Sequence, residues 1–269
     1  MKKNHQFHLV DPSPWPFLIS FALLSFTVLT TITLNTINKT ITTIRFLLIT
    51  WIIKIWWRDI QRESTFQGNH TKSVIISIKY GIILFISSEI LLFTSLFWRF
   101  FHHSLTPSQE IGLIWPPVSI ITFNPLRIPL LNTIILLTRG ITITWTHSRI
   151  CNNNFHETKK RLSITIVLGI YFSILQIFEY TESPFSIRDS VYGRSFFLTT
   201  GFHGVHVIVG TIFLTHCIFR IIKLHFNSNH HIGIELAIWY WHFVDIVWLF
   251  LYTSIYWWGK YFISIINYI

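Results

Sequence analysis

The sequence predicts an all-α fold, a polytopic membrane bundle of seven transmembrane helices. Hydrophobic residues make up 51% of its 269 positions and charged residues only 12%, whereas roughly a quarter of a soluble domain is charged. Long apolar runs recur along the chain, and a run of about 20 residues crosses the ~30 Å hydrocarbon core of a bilayer at 1.5 Å per residue. These observations exclude an ordinary soluble domain.

The predicted spans follow one another without an extramembrane domain between them. Their seven ranges are 15–34, 41–57, 73–101, 128–145, 162–180, 192–224 and 232–258. The second is short and carries Arg45, but it ends in Trp56 and Trp57, a pair typical of the membrane interface. The seventh ends in a similar pair, Trp257 and Trp258.

Basic residues flank these spans unequally. Eleven fall on the side of the N-terminus, namely Lys2, Lys3, Arg58, Arg62, Lys72, Arg149, Lys159, Lys160, Arg161, Arg220 and Lys223. The opposite side receives Lys39, Arg127, Arg188 and Lys260. The excess predicts an N-terminus on the side where the chain is made and a C-terminus opposite. No apolar core precedes Pro12, so no cleavable signal or transit peptide is expected.

The formal charge of +10 has a different meaning here from its meaning in a soluble chain. Basic residues at the ends of apolar runs orient helices and meet anionic lipid, so no nucleic-acid partner is expected. Two cysteines occur, Cys151 in a predicted loop and Cys217 in a predicted span. They are too few and too far apart for a CxxC site or a disulfide framework.

Glu89 lies near the middle of the third span. Its neighbours one turn away are apolar: Phe85, Ile86, Leu92 and Phe93. An ionised carboxylate at this depth needs a partner, a water-filled cavity or a proton. Glu89 is therefore a candidate functional residue, and the alternative is a protonated glutamate that bonds a neighbouring helix for packing alone.

Histidines and carboxylates share faces of the last two spans. His203 and His206 are three residues apart, as are His242 and Asp245, and Glu235 lies two turns before His242. Imidazoles and carboxylates can ligate a metal or haem. Such a pair also arises readily by chance among 14 histidines, and polar support of the bundle is the alternative. The sequence has no Gly-rich phosphate loop and no G-x-S-x-G elbow. A self-contained enzyme is therefore not expected.

Two basic clusters suit a phospholipid headgroup. The first is the stretch WWRDIQRESTFQGNH, residues 56–70, interpreted as a loop, in which arginines can grip a phosphate beside interfacial tryptophans. The second follows the sixth span and consists of Arg220, Lys223 and His225. Both are predicted on one membrane face, which favours anionic lipid bound between helices. The alternative is the ordinary positive-inside bias with solvated charges.

The chain resembles the subunit III family of mitochondrial cytochrome c oxidase. The resemblance is carried by FHLVDPSPWP (7–16), WWRDIQRESTFQG (56–68), SEILLF (88–93), NPLRIPLLNT (124–133), VYGRSFFLTTGFHGVHVIVG (191–210) and WYWHFVDIVWLFLYTSIYWWG (239–259). It implies a single membrane domain, residues 1–269. In that domain a lipid-filled cleft separates a two-helix part (15–57) from a five-helix part (73–258).

The resemblance also implies roles for residues. Glu89 corresponds to the family's buried carboxylate, which reacts with carbodiimide and is related to proton uptake. The lipid-binding positions are Trp57, Arg62, Glu63, Ser64, His70, Arg220, Lys223 and His225. The residues left as polar support are His203, His206, Glu235, His242 and Asp245. No catalytic residue and no metal ligand is implied, because haem a and copper belong to partner subunits.

By the same resemblance the chain is expected to be a non-catalytic core subunit of respiratory complex IV, which reduces oxygen to water with electrons from cytochrome c and pumps protons. Its expected partners are oxidase subunit I, the other complex IV subunits and phospholipid. It is expected in the mitochondrial inner membrane with its N-terminus in the matrix and its C-terminus in the intermembrane space. The alternatives are subunit III of a quinol oxidase, a membrane enzyme with its own haem or metal at His203, His206 and His242, and a proton or ion carrier using Glu89.

Four arginines depart from the family pattern, at positions where it has small residues: Arg45, Arg99, Arg139 and Arg194. An arginine at a helix centre costs at least ~2.5 kcal/mol. The chain also has one Met and is rich in Ile. Some mitochondrial codes read ATA as Met and AGA as Ser, so we hypothesise a translation with the wrong codon table. Real arginines would need snorkelling or acidic partners.

Overall fold

The computed structural model describes residues 7–8, 10–34 and 40–260, which form seven long helices and a short 3₁₀ turn at Gln109–Ile111. The helices are α1 Trp15–Leu34, α2 Thr40–Thr65, α3 Lys72–Leu105, α4 Ile128–Cys151, α5 Phe155–Thr181, α6 Ser190–Ile222 and α7 Ile232–Leu251, which continues as a π-helical segment, Tyr252–Trp258. Each is long and apolar enough to cross a membrane. The predicted all-α, seven-helix membrane fold is confirmed. Lys2, Lys3 and Lys39, used above to orient the chain, lie outside the described residues.

Several helices continue past the ends of the predicted spans, and two of these extensions correct the sequence interpretation. The stretch after residue 57 is helical as far as Thr65, so most of the predicted headgroup loop belongs to α2. Cys151 is the last residue of α4 and does not lie in a loop. The predicted spans ended where apolar residues ended, but a helix continues into the interface wherever polar side chains can be solvated and its backbone remains bonded.

The described residues as far as Tyr80 form one compact unit, built on the pairing of α1 with α2. Ala22 of α1 packs with Ile49 and Ile52 of α2. Trp15 at the start of α1 donates its indole N–H to the carboxylate of Asp59 near the end of α2, at 2.9 Å. The start of one helix therefore meets the end of the other, as in an antiparallel hairpin.

The described residues from Gly81 onward form the second unit, in which four helices close a ring. α4 packs against α5, α5 against α6, α6 against α7, and α7 back against α4. Each helix gives a buried side chain to the shared interior: Leu136, Phe172, Val207 and Trp248. α3 reaches this ring through large side chains, for example the Phe93 ring, whose centroid lies 6.0 Å from that of Phe243.

Small residues allow α5, α6 and α7 to approach closely around Trp241, whose side chain is fully buried. A Cβ on Gly169 would lie 2.9 Å from the Trp241 ring, and one on Gly210 would lie 2.8 Å from it. Both distances are shorter than a van der Waals contact. The two glycines therefore provide the space for the indole, as small residues do at helix contacts in membranes.

The predicted division into residues 15–57 and 73–258, and the cleft between them, stay predictions.

Candidate functional site

Glu89 of α3 is bonded to His206 of α6. Its Oε2 lies 2.8 Å from Nε2 of His206, and the two side chains are 20% and 11% exposed within the chain. The Nδ1 atom of the same imidazole lies 2.6 Å from the carbonyl oxygen of Phe202. The candidate carboxylate thus has a partner, which is one of the three ways named above in which a carboxylate can persist at this depth.

The hydrogen bonds of His206 indicate where the protons of the Glu89–His206 pair lie. A carbonyl oxygen only accepts, so Nδ1–H donates to Phe202 and the proton in the Glu89 contact is a second one. That proton is carried either by the carboxyl group or by Nε2, and the pair has zero net charge in both states. Neutrality lowers the cost of burial, and the pair holds one proton that can move between two atoms.

Aromatic rings surround the imidazole of His206. Phe93 meets it edge-on at a centroid distance of 5.1 Å, and Tyr240 stacks beside it at 6.3 Å. Beside them lies an apolar groove of about 570 Å³ between α3 and α7, lined by residues that include Phe93, His242 and Phe250. The Glu89–His206 pair is therefore set among aromatic rings and beside an apolar groove.

The three histidines of the alternative metal or haem centre have separate surroundings. His203 is fully buried and its ring lies 5.8 Å from Phe172 and 5.3 Å from Trp248. His206 bonds Glu89, whereas His242 faces the groove. Among the residues that the structure describes, these three do not come together as metal ligands.

Asp245, predicted as polar support, forms an ion pair with Arg139 of α4. Nε and Nη2 of the guanidinium both lie 3.1 Å from Oδ1 of Asp245. The guanidinium is fully buried, and its carbon lies 4.6 Å from the centre of the Phe172 ring and 4.8 Å from that of Trp241. Both contacts use the same carboxylate oxygen, so Oδ2 is left without a hydrogen-bond partner.

The other three unusual arginines do not lie at helix centres. Arg45, Arg99 and Arg194 each lie within six residues of an end of their helix. At that depth a long side chain can extend to the interface, which lowers its cost. Arg139 is the exception, since it lies midway along α4, and it has an acidic partner.

The codon-table hypothesis stays a prediction with a direct test. It predicts serine at residue 99 of the native protein. Peptide mass spectrometry across residues 94–103 is the measurement, and tryptic cleavage after residue 99 would occur only if arginine stands there. Observation of Arg99 in native peptides would contradict the hypothesis and leave snorkelling as the explanation of that residue.

Five of the predicted lipid-binding residues lie in the first unit, at the end of α2 and in the loop after it: Trp57, Arg62, Glu63, Ser64 and His70. The side chains of Trp57 and Arg62 are exposed. Glu63 is held by Nε2 of His8, 3.4 Å from its carboxylate. This part of α2 thus exposes the indole of Trp57 and the guanidinium of Arg62. The neighbouring carboxylate, Glu63, already contacts His8.

The other three lie in the second unit, where α6 ends. Arg220 is half-buried, with its guanidinium carbon 4.2 Å from the centre of the Phe226 ring. Lys223 follows as an exposed residue and His225 is half-buried. Burial, with the charges of Arg220 and Lys223 close by, lowers the pKa of His225. The combined positive charge makes this corner attractive to an anion.

Sequence reasoning placed Glu89, His206 and Asp245 among the candidates but missed the partner of each. Glu89 and His206 are 117 residues apart, and Arg139 and Asp245 are 106 apart. Arg139 was treated as an anomaly that would need snorkelling or an acidic partner, and Asp245 was not named as that partner. The one signal available was that Asp245 and Arg139 carry opposite charges near the centres of apolar spans, where an unpaired charge is costly.

Comparison with known proteins gives a match along nearly the whole chain. The family described as Cytochrome c oxidase subunit III matches residues 5–260. The cytochrome c oxidase subunit 3 of Aedes aegypti is 53% identical over 259 residues, which cover 96% of this chain and 98% of the relative. That of Anopheles quadrimaculatus is 55% identical over 266 residues, with the same coverage. That of Loxodonta africana is 52% identical over 260 residues, covering 96% and 99%.

Proposed function

The chain belongs to the cytochrome c oxidase subunit III family, and from this we propose that it is a non-catalytic core subunit of respiratory complex IV. Membership implies a complex with other oxidase subunits. The observation that carries the proposal is the family match over residues 5–260, which includes all seven membrane-spanning helices. In this proposal the chain stabilises subunit I, its main contact, which reduces oxygen and pumps protons with haem a and copper.

The proposed location is the mitochondrial inner membrane. Seven helices are each long enough to span a membrane, and an odd number of spans supports termini on opposite sides. The excess of basic residues on the N-terminal side supports an N-terminus in the matrix and a C-terminus in the intermembrane space.

Phospholipid is the proposed ligand of this subunit. Two observations support it: the exposed Trp57 and Arg62 at the end of α2, and the cluster of Arg220, Lys223 and His225 at the end of α6. Indole rings prefer the headgroup depth, and guanidinium groups bind phosphate with two parallel hydrogen bonds. Each cluster is proposed to hold the phosphate of an anionic headgroup.

The Glu89–His206 pair is proposed to support proton uptake by the complex without carrying every proton. We propose that the single proton shared over 2.8 Å moves between the two side chains. The pair lies among apolar rings, however, and the described part of α3 offers no second carboxylate to continue a relay. We therefore assign it an auxiliary role.

The test of the proposal is purification of the tagged chain from its own membranes, with absorption spectra, metal analysis and lipid analysis before and after partner subunits are stripped. We expect haem and copper to co-purify with the chain and to leave with the partners, while phospholipid stays. Arg220→Gln should reduce the retained phospholipid, because the amide keeps most of the size of the side chain but loses its charge.

Arg188→Gln is the matched control for Arg220→Gln, since it removes one arginine from the loop before α6 and should not change the lipid content. Retention of stoichiometric haem or copper by the stripped chain would contradict a non-catalytic role. Equal lipid content in the Arg220 and Arg188 variants would contradict the lipid assignment at the end of α6 and leave the subunit assignment intact.

A further inference from the structure

Three metal-type ligands meet at one end of the second unit, away from Glu89 and His206. They are His147 and Cys151 in the last turns of α4 and His231 just before α7. One ligand atom from each lies within 4.8 Å of the other two. The Sγ atom of Cys151 is 3.9 Å from Nε2 of His231, close to the sulfur–nitrogen separation across a tetrahedral zinc ion, whose bonds measure about 2.3 and 2.0 Å.

Local structure explains why these side chains converge. His147 and Cys151 are four residues apart on a continuous helix, which places them on one face, one turn apart. The turn after α4 is joined to the loop before α7 by the backbone N–H of Ser228, which donates to Oδ1 of Asn153 at 3.2 Å. Ile150 near the end of α4 and Ile234 near the start of α7 belong to the same buried hydrophobic cluster, which holds these two helix ends together.

The orientation of His231 suits a ligand. Its Nδ1 lies 3.1 Å from the carbonyl oxygen of Asn227, and since a carbonyl only accepts, Nδ1 carries the proton. The coordinating nitrogen is then Nε2, which is the one that faces Cys151. A metal-ligating histidine usually has this kind of bond at its other nitrogen, where it fixes the ring and the tautomer.

Charge balance is also provided. Glu235, one turn into α7, brings its Oε1 to 3.2 Å from Nε2 of His231. The two positive charges of a divalent cation would be balanced by the Cys151 thiolate and the neighbouring Glu235 carboxylate. The occupied site would then have no net charge. This matters at a membrane face, where an uncompensated charge next to packed apolar residues is costly.

We propose that His147, Cys151 and His231 form a binding site for a divalent zinc-type cation, with Glu235 as the neighbouring carboxylate and water in the fourth position. Two imidazoles and a thiolate are the ligands that zinc prefers. Binding releases to solvent the thiol proton of Cys151 and the proton held between Nε2 of His231 and Glu235. The ion would join the end of α4 to the start of α7 and so fasten two loops on one face of the bundle.

The two cysteines of the chain allow a direct test in the assembled complex. The detergent-solubilised oxidase is washed with chelator, incubated with or without zinc chloride, and labelled with a maleimide, and labelling is quantified on the separate peptides. Cys151 is exposed and Cys217 is buried, so Cys217 serves as an internal reference. We expect zinc to slow labelling of Cys151 by at least about tenfold, because a coordinated thiolate is not a free nucleophile.

His231→Gln and His147→Gln should each abolish this protection, whereas His230→Gln, which removes the adjacent histidine from the same loop, should leave it intact. Glu235→Gln should weaken zinc affinity by about 10- to 100-fold, as the loss of a carboxylate next to a metal-bound histidine does. The haem spectrum of each purified variant reports whether the complex has assembled. The proposal is overturned if zinc does not change Cys151 labelling, or if His230→Gln lowers protection as much as both His231→Gln and His147→Gln.

Discussion

Replacing Arg139 by leucine is expected to destabilise the folded chain by about 3–5 kcal/mol, the usual cost of removing one partner from a buried ion pair. The guanidinium is fully buried, and Nε and Nη2 are each 3.1 Å from Oδ1 of Asp245. Without it, the buried Asp245 carboxylate would have no cation beside it. The measurement is the midpoint of thermal dissociation of the subunit from the purified complex.

The double variant Arg139→Leu/Asp245→Asn separates the ion pair from simple packing. Because both charges are then absent, it should recover most of the lost stability, in line with the near-neutral replacement of whole buried pairs. Arg194→Leu is the surface control, since that side chain is exposed on α6, and it should change stability by no more than about 0.5 kcal/mol. Equal losses in the single and double variants would show that the charge interaction is not what holds α4 to α7.

The number and order of the helices could be predicted because both depend on local sequence. An apolar run long enough to cross a bilayer must satisfy its backbone internally, so it forms a helix whatever its neighbours are. This reasoning gave α1 with the bounds that the structure has, Trp15–Leu34. It failed at the ends of α2 and α4, where the helix leaves the membrane and apolar content no longer indicates where it stops.

The candidate sites could be predicted only in part, because each depends on a partner from a distant helix. Glu89 and Asp245 stood out as carboxylates in apolar spans, but nothing local indicates His206 or Arg139 as their partners. The cluster at His147, Cys151 and His231 was missed for a related reason. Ending the fourth span at residue 145 put Cys151 in a loop, so its helical register with His147 was not seen.

Replacing Glu89 by glutamine is expected to lower the turnover of the oxidase by less than about tenfold, whereas loss of an obligatory acid–base group costs about 10²- to 10⁴-fold. The glutamine amide can still donate to Nε2 of His206, so α3 should stay docked, but the shared proton is lost. Steady-state oxygen consumption, proton pumping in vesicles and the decay of activity during turnover measure the effect. Modification by carbodiimide at residue 89 should disappear.

His206→Gln is the matched variant, because it keeps the carboxyl group and removes the imidazole 2.8 Å from it. If the two side chains work as a unit, this variant and the Glu89→Gln/His206→Gln double variant should lose about as much activity as Glu89→Gln alone, since effects within one hydrogen-bonded pair are not additive. A hundredfold loss in Glu89→Gln, with assembly intact, would make the pair an obligatory relay. An additive double variant would instead separate the carboxylate from the imidazole and assign its effect to some other contact of α3.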